Sequence, residues 1–383
     1  MKNTTEPRIL IYGATGYTGR LVSKLAAEQS LQVIISGRSE EKLSALGSEL
    51  GLPYEVVSLA DSAALDRLVQ KCDVMLNLAG PYRETAAPIR EACIRGRVHY
   101  VDITGELDVY EDHAGFHERA RMAGITLLSG AGFDVVPSDC LAAYAKSRLE
   151  DTESLEMFFS GGAGMSQGTM RSGLGMIGGG VPLRENGKLI RKLVPATRTR
   201  DCGDGAQLFA SAAWGDLITA WYSTGIQNIQ VFFPAKKKPS NKLWLFIKAF
   251  LLNRALVQWF LSGVIRLLPD GPEDSARDKA MQYLMAEAQN FRGETFRARL
   301  TTPEAYTLTA HTALRSAREV AGKDIPRGYQ TPATAFGADF ILQFDGVRRE
   351  DVPVENQQPP GRDGAAQTAD AMRKASPKES TVS

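Results

Sequence analysis

The sequence predicts an α/β protein in which a doubly wound parallel sheet is followed by a second, α+β domain. Three observations predict it. An apolar run at 8–12 leads straight into a glycine-rich turn and then a helical pattern. Five further apolar runs alternate with helical patterns up to about residue 140. Finally, 383 residues with 43% hydrophobic and 23% charged side chains exceed one ordinary core and suit two.

The elements follow in order. Arg-Ile-Leu-Ile-Tyr at 8–12 reads as a buried strand, and Gly13-Ala14-Thr15-Gly16-Tyr17-Thr18-Gly19 follows at once. Behind the turn, Leu21, Val22 and Leu25 recur at helical spacing. Strand, glycine turn and helix make a phosphate cradle of the dinucleotide-binding (Rossmann) type. Glycines let the backbone approach a pyrophosphate, and the helix N-terminus supplies N–H groups and partial positive charge. The spacing is GxxGxxG, one residue longer than GxGxxG.

The second strand, 32–36, runs into Gly37-Arg38-Ser39. About 20 residues after the glycine turn, an NAD enzyme places an acid on the ribose hydroxyls. Arg38 takes that place beside Ser39, and a guanidinium there pairs with a 2′-phosphate, which favours NADP(H). The alternative is a surface arginine capping a loop. A third strand at 54–59 leads to Asp61, either a contact to the adenine edge or an N-cap for the helix from 62. A fourth at 73–78, containing Asn77, runs into Ala79-Gly80-Pro81-Tyr82. Helix 85–96, a fifth strand from 99, helix 112–123 and a sixth strand at 125–129 follow. After them comes Gly130-Ala131-Gly132-Phe133-Asp134, leading to Asp139 and a helix at 140–148. In doubly wound sheets ligands sit beyond the carboxyl ends of the strands, so the loops 80–82, 102–106 and 130–139 are expected to face the nicotinamide. Candidate cofactor contacts are Gly13, Thr15, Gly16, Tyr17, Thr18, Gly19, Gly37, Arg38, Ser39, Asp61, Asn77, Gly80, Pro81 and Gly132.

Charge and sparse ligands exclude other classes. Lys plus Arg number 45 against 44 Asp plus Glu, a net charge of +1, too little surplus for a general nucleic-acid binder. Four scattered cysteines (72, 93, 140, 202) form no CxxC and read as reduced thiols of a cytoplasmic protein, and four histidines lack metal-ligand spacing. No metal is expected. The first residues contain no leader with a cleavage site.

GATGYTGR, NLAGPYRETAAPIREACIRGRVHYVDITGE and SGAGFDVVPSDC together resemble the saccharopine dehydrogenase-like oxidoreductases, in particular the compact members described as trans-acting enoyl reductases. The similarity continues through Trp214-Gly215-Asp216-Leu217, Ser223-Thr224-Gly225-Ile226 and GYQTPATAFGADFILQF at 328–344. It implies an NADP-binding domain over 1–140, a substrate and dimerisation domain over 141–325, and a segment, 326–349, returning to the first domain. It also implies hydride transfer to a polarised double bond. From about residue 350 the chain is polar and reads as a disordered tail.

Within that frame, Tyr82 is the first candidate proton donor; its alternative is an aromatic wedge on the cofactor. It lacks a Tyr-x-x-x-Lys partner. Asp134 and Asp139 either orient substrate or cofactor or, for Asp139, cap the helix of 140–148. Cys140 reads as a core residue and His311 as packed or exposed. Arg171, Arg184, Arg191, Arg198 and Arg200 are scattered, and Trp214, Trp221, Tyr222, Phe232 and Phe233 make the second domain aromatic. Residues 243–268 are the most hydrophobic stretch, interrupted by Lys248, Arg254, Gln258 and Arg266 and preceded by Lys236, Lys237, Lys238 and Lys242. That pattern fits an interface or pocket helix, or peripheral contact of 236–268 with a membrane surface. The expected activity is NADP(H)-dependent reduction of a C=C conjugated to a carbonyl, on a hydrophobic acyl substrate, small or carrier-bound, by a homodimer. The alternatives are imine or carbonyl reduction in amino-acid metabolism, and a lipid-associated protein that binds NADP(H) without turnover.

Overall fold

The structure, a computed structural model, describes residues 6–162, 180–236 and 280–354. Its first half alternates strand and helix, with two helices in succession only between the fifth and sixth strands. In order come β1 (Ile9–Tyr12), α1 (Tyr17–Glu28), β2 (Val33–Gly37), α2 (Glu40–Leu50), β3 (Tyr54–Val56) and α3 (Ser62–Val69). They are followed by β4 (Val74–Asn77), α4 (Tyr82–Gly96), β5 (His99–Asp102), α5 (Leu107–Gly115), α6 (His117–Ala123) and β6 (Thr126–Leu128). Then α7 (Val136–Arg148) leads to β7 (Thr152–Gly161), β8 (Val181–Glu185), β9 (Lys188–Lys192), β10 (Thr197–Asp201) and β11 (Ala206–Ser211). The chain continues through α8 (Asp216–Thr224), β12 (Asn228–Pro234), β13 (Met281–Asn290), β14 (Thr295–Pro303) and α9 (Ala305–Gly322). It closes with β15 (Gly328–Gln330), α10 (Pro332–Phe336) and β16 (Arg348–Val352).

The first sheet has the order β15-β6-β5-β4-β1-β2-β3, and every neighbouring pair is parallel. Apart from the edge strand β3, whose Tyr54 and Val56 are exposed, its strands are apolar because both faces are covered. Along β1, Ile9 and Ile11 face one core with Val22 of α1, Leu43 of α2 and Leu314 of α9. Leu10 and Tyr12 face the other, with Leu65 of α3, Ile89 of α4 and Ala120 of α6. The period-two alternation of a strand thus feeds two cores. The order reverses at β1, with β2 on one side and β4 on the other. That reversal opens a crevice between the loops after β1 and β4.

The second sheet is mixed, in the order β10-β11-β12-β7-β13-β14-β16, with β8 pairing β12 and β9. β7 and β12 run parallel and the other pairs antiparallel. Leu155, Met157 and Phe159 of β7 pack with Leu141 of α7 and Leu217 of α8 in a third core.

Several sequence expectations are corrected at element boundaries. The third strand ends at Val56, not 59. The helix expected over 112–123 is two helices, α5 and α6, meeting at Phe116. α4 starts at Tyr82 rather than 85, and α7 at Val136 rather than 140, with Pro137 in its first turn. β16 pairs with β14 over Arg348–Val352, so strand structure runs past residue 350, where a disordered tail was expected to begin. The apolar segment 243–268, with Lys237, Lys238 and Lys242 before it, lies outside the described residues, as does Arg171. Among the described residues, no helix is long and apolar enough to cross a membrane.

Candidate active site

The glycine turn is shaped by the protein's own packing at two of its three glycines. Gly13 has φ +86°, and a Cβ there would stand 2.7 Å from the Ala79 amide nitrogen, across the crevice. A Cβ on Gly19 would run into the Gly13 carbonyl. Gly16 is different. It is exposed, and a Cβ would meet nothing nearer than the Gly13 oxygen at 3.4 Å. The turn is pinned by the amides of Gly13 and Ala14, which donate to Ser36 O at 2.9 and 3.2 Å. The first bond of the α1 ladder is donated by Arg20 to Gly16 O (2.9 Å), and no side chain caps the helix. The first-turn amides at Tyr17, Thr18 and Gly19 precede that ladder, and Thr15 is partly exposed beside them. An open glycine at an uncapped helix N-terminus fits a pyrophosphate.

At the end of β2, Gly37 O accepts from Val57 N (2.9 Å), fixing the strand end. Arg38 is exposed there, close enough for its charge to act on the Tyr12 phenol, which donates to Val57 O (2.9 Å). Ser39 occupies the N-cap position of α2 without bonding it. Asp61 caps α3, accepting from Ala64 N at 2.9 Å, which is the local one of its two expected roles. Asn77 is fully buried with its carboxamide engaged internally. It accepts from Ala79 N (3.1 Å) and donates to the Tyr100 hydroxyl (3.2 Å) and Thr85 Oγ1 (3.4 Å). It shapes the loop 78–82.

That loop carries Gly80 and Pro81, joined by a cis peptide, and delivers Tyr82 to the first turn of α4. Two backbone amides set its position: Tyr82 N donates to Glu106 Oε1 (2.9 Å) and Arg83 N to Glu106 Oε2 (3.1 Å). The Glu106 side chain is wholly buried and also accepts from Arg83 Nε at 3.2 Å. Tyr82 packs on Ala86, Val109 and Ile103. Burial first, and then the Asp102, Glu106 and Asp134 carboxylates, hold its phenol well above its ordinary pKa, so it is a neutral donor.

The loops after β5 and β6 supply those carboxyls. Asp102 accepts from Tyr100 OH (2.9 Å) and from the amides of Thr104 and Gly130 (both 3.1 Å), yet burial pushes it up to about 7. Asp134 stands against Gly105, where a Cβ would meet its Oδ2 at 2.7 Å, and burial alone raises it to about 6. Its carbonyl accepts the Trp214 indole N–H at 2.8 Å, and Trp214 packs on Phe159 and Phe233 with ring centroids 5.6 and 4.8 Å away. Gly132 lies under α9, where a Cβ would be 3.1 Å from Thr309 Cγ2, and Phe133 N donates to Thr309 Oγ1 (2.9 Å). Tyr306, on the first turn of α9, meets the Tyr17 ring edge-on at 5.0 Å. A helix inserted between two strands of the second sheet, β14 and β16, therefore closes over the glycine turn.

Asp139 sits elsewhere. It is buried inside α7, accepting from Ser223 Oγ (2.6 Å) and Ala333 N (2.7 Å), so it neither caps a helix at 140 nor joins the Tyr82 group. It ties α7 to α8 and α10, with its pKa raised to about 6 by burial. Arg184 donates to Leu217 O and Gly187 O under the Trp221 ring, Arg198 pairs with Glu156, and Arg200 pairs with Glu287. Arg198 and Arg200 line one pocket on the second sheet together with their partners Glu156 and Glu287, and Arg184 lies outside it. Cys140 is buried and His311 exposed on α9. No local pattern signals Trp214's bond to Asp134, 80 residues away, and only the turn Ile-Thr-Gly-Glu marks Glu106 as lying near the crevice.

Known proteins bear on this geometry. The family described as "Saccharopine dehydrogenase NADP binding domain" matches residues 9–128. A rat protein named saccharopine dehydrogenase-like oxidoreductase is 31% identical over 201 residues, covering 44% of this chain and 46% of the rat protein. A trans-acting enoyl reductase of Mycobacterium ulcerans (strain Agy99) is 31% identical over 142 residues, covering 35% of this chain and 34% of that protein. The match thus spans less than half the length of these relatives. A solved saccharopine dehydrogenase (L-Glu forming) from Saccharomyces cerevisiae aligns over 91% of this chain and all of its own, with a TM-score of 0.61 at 12% identity, a likeness of fold. Residues 9–128, with their glycine cradle and crevice, are thus similar to the NADP-binding domains of the saccharopine dehydrogenase family.

Proposed function

We propose that this protein is an NADP(H)-dependent oxidoreductase that reduces a C=C conjugated to a carbonyl on a hydrophobic acyl substrate. The observation that carries the reading is the buried, neutral Tyr82 phenol on the segment that follows β4, with the Asp102, Glu106 and Asp134 carboxyls near it. A dinucleotide held at the Gly13–Gly19 turn supplies a hydride. Reduction of a conjugated double bond places negative charge on the carbonyl oxygen, and a fixed, uncharged donor stabilises it there. Tyr82 is that donor. Asp102, raised to about 7, is part protonated near neutral pH and is the nearby carboxyl able to restore a proton to the phenol, while Asp134, raised to about 6, is largely ionised there. Trp214, whose indole holds the Asp134 carbonyl, packs on Phe159 and Phe233, an apolar neighbourhood suited to an acyl chain.

The amino-acid reading loses support because Arg184, Arg198 and Arg200 are spent on internal partners. The test is a panel. Loss of nicotinamide absorbance is followed with enoyl, imine and keto substrates in turn, and consumption with the enoyl members first is the expected result. Consumption only with amino-acid-derived imines contradicts the substrate assignment. Arg38→Ala is expected to cut the preference for NADPH over NADH about tenfold or more, read from the two dissociation constants.

A further inference from the structure

We infer that Arg83, aimed by Glu106, anchors an anionic group of the substrate, a carboxylate or a phosphate ester, at the mouth of the crevice; this rests on the oxidoreductase reading above. Glu106 does two things at once. Its wholly buried carboxylate holds the amides of Tyr82 and Arg83 at 2.9 and 3.1 Å, and the same Oε2 takes Arg83 Nε at 3.2 Å. The guanidinium is therefore fixed by its inner edge. The Arg83 side chain is 39% exposed, and among the described residues its two terminal amino groups have no partner. A guanidinium held by Nε presents its outer N–H groups in a plane, the arrangement that grips a carboxylate or phosphate bidentately.

Its surroundings set it apart from the other arginines. Arg184 has both edges occupied by backbone carbonyls, and Arg198 and Arg200 meet glutamates edge-on across the second sheet. Arg38 belongs to the far end of the cradle, beside Tyr12. Arg83 follows the proton donor directly in sequence and shares its anchor. A group gripped there lies beside the bond that Tyr82 serves, so the anchor selects substrates bearing an anion close to the reacting end. An ordinary surface ion pair has no such consequence, since it would stabilise Glu106 and leave substrate choice alone.

The experiment uses the full chain and three probes of matched acyl length: an enoyl thioester of coenzyme A, the free enoic acid, and the neutral N-acetylcysteamine thioester. Arg83→Ala is expected to raise KM about tenfold or more for whichever anionic probe is the substrate, with the neutral thioester's KM and the NADPH dissociation constant unchanged. The coenzyme A and free-acid arms separate phosphate from carboxylate. Arg83→Lys is expected to recover only part of the loss, since an ammonium lacks the planar fork. An equal rise in KM for the neutral thioester, or no rise for either anion, overturns the anchor. If the wild-type protein consumes NADPH with none of the probes, the oxidoreductase reading fails separately. Calorimetric binding of the same probes to the NADP⁺ complex then decides the anchor by whether Arg83→Ala abolishes binding of an anion selectively.

Discussion

At the scale of single residues, the candidate site is governed by burial more than by formal charge. Asp134 is the clearest instance, because burial alone lifts it to about 6. A carboxyl whose folded pKa exceeds its unfolded value binds its proton more tightly when folded. Its contribution to stability is therefore complete below about pH 4 and fades as pH rises through about 6. Asp134→Asn is expected to flatten the fall of stability between those values and to raise stability above them by on the order of 2 kcal/mol. Denaturant unfolding at a series of pH values reads this, and an unchanged slope contradicts it. Asp134 was legible in the sequence as a loop acid; its environment was not, since Gly105 and Trp214 come from distant stretches.

At the scale of elements, what was legible and what was not divides along range of interaction. The Ile9–Tyr12 strand, the glycine turn and α1 were readable because the apolar run, the GxxGxxG spacing and the helical repeat are all local. The start of α4 was not. Its cap is Glu106, 24 residues onward, and no signal near Tyr82 announces it. Asp139 looked like a helix cap from its neighbours, yet its partners, Ser223 and Ala333, are 84 and 194 residues away. Short β15 was invisible for the same reason: three residues carry no period, and only pairing with Thr126–Leu128 makes them a strand.

The glycine turn itself yields a contrast. Gly13→Ala forces a Cβ against the Ala79 amide at φ +86° and is expected to destabilise the fold by at least ~2 kcal/mol. Gly16→Ala, with φ −74° and open space, is expected to leave the melting temperature unchanged and to weaken NADPH binding about tenfold. Thermal unfolding and a fluorescence titration separate the two. Equal melting temperatures for both variants would show that the crevice does not constrain Gly13.

At the scale of the whole molecule, the two sheets share structure rather than merely touching. α9 places Leu308 in the core of the second sheet and Ala310, Ala313 and Leu314 in that of the first. Asp139 binds α7, α8 and α10 together, and Tyr306 lies on Tyr17 of the cradle. NADPH at a hundredfold excess over its dissociation constant is expected to add about 2.7 kcal/mol to a single cooperative unfolding transition. Calorimetry that resolves two transitions, only one of them moved by NADPH, would count against this coupling. We propose that the cofactor half, 1–140, and the substrate half, 141–325, act as one unit for this reason, with the return segment 326–349 as their clasp.

The central claim is that Tyr82, held neutral at the crevice, donates to the oxygen that gains charge as the double bond is reduced. Replacing Tyr82 by Phe removes the hydroxyl and keeps the ring that packs on Ile103 and Val109. Single-turnover oxidation of bound NADPH by a conjugated enoyl thioester, compared between wild type and Tyr82→Phe, measures the claim directly. The account predicts a fall in rate on the order of 10²-fold or more, with the NADPH dissociation constant unchanged. A Tyr82→Phe protein that turns over at the wild-type rate would contradict it.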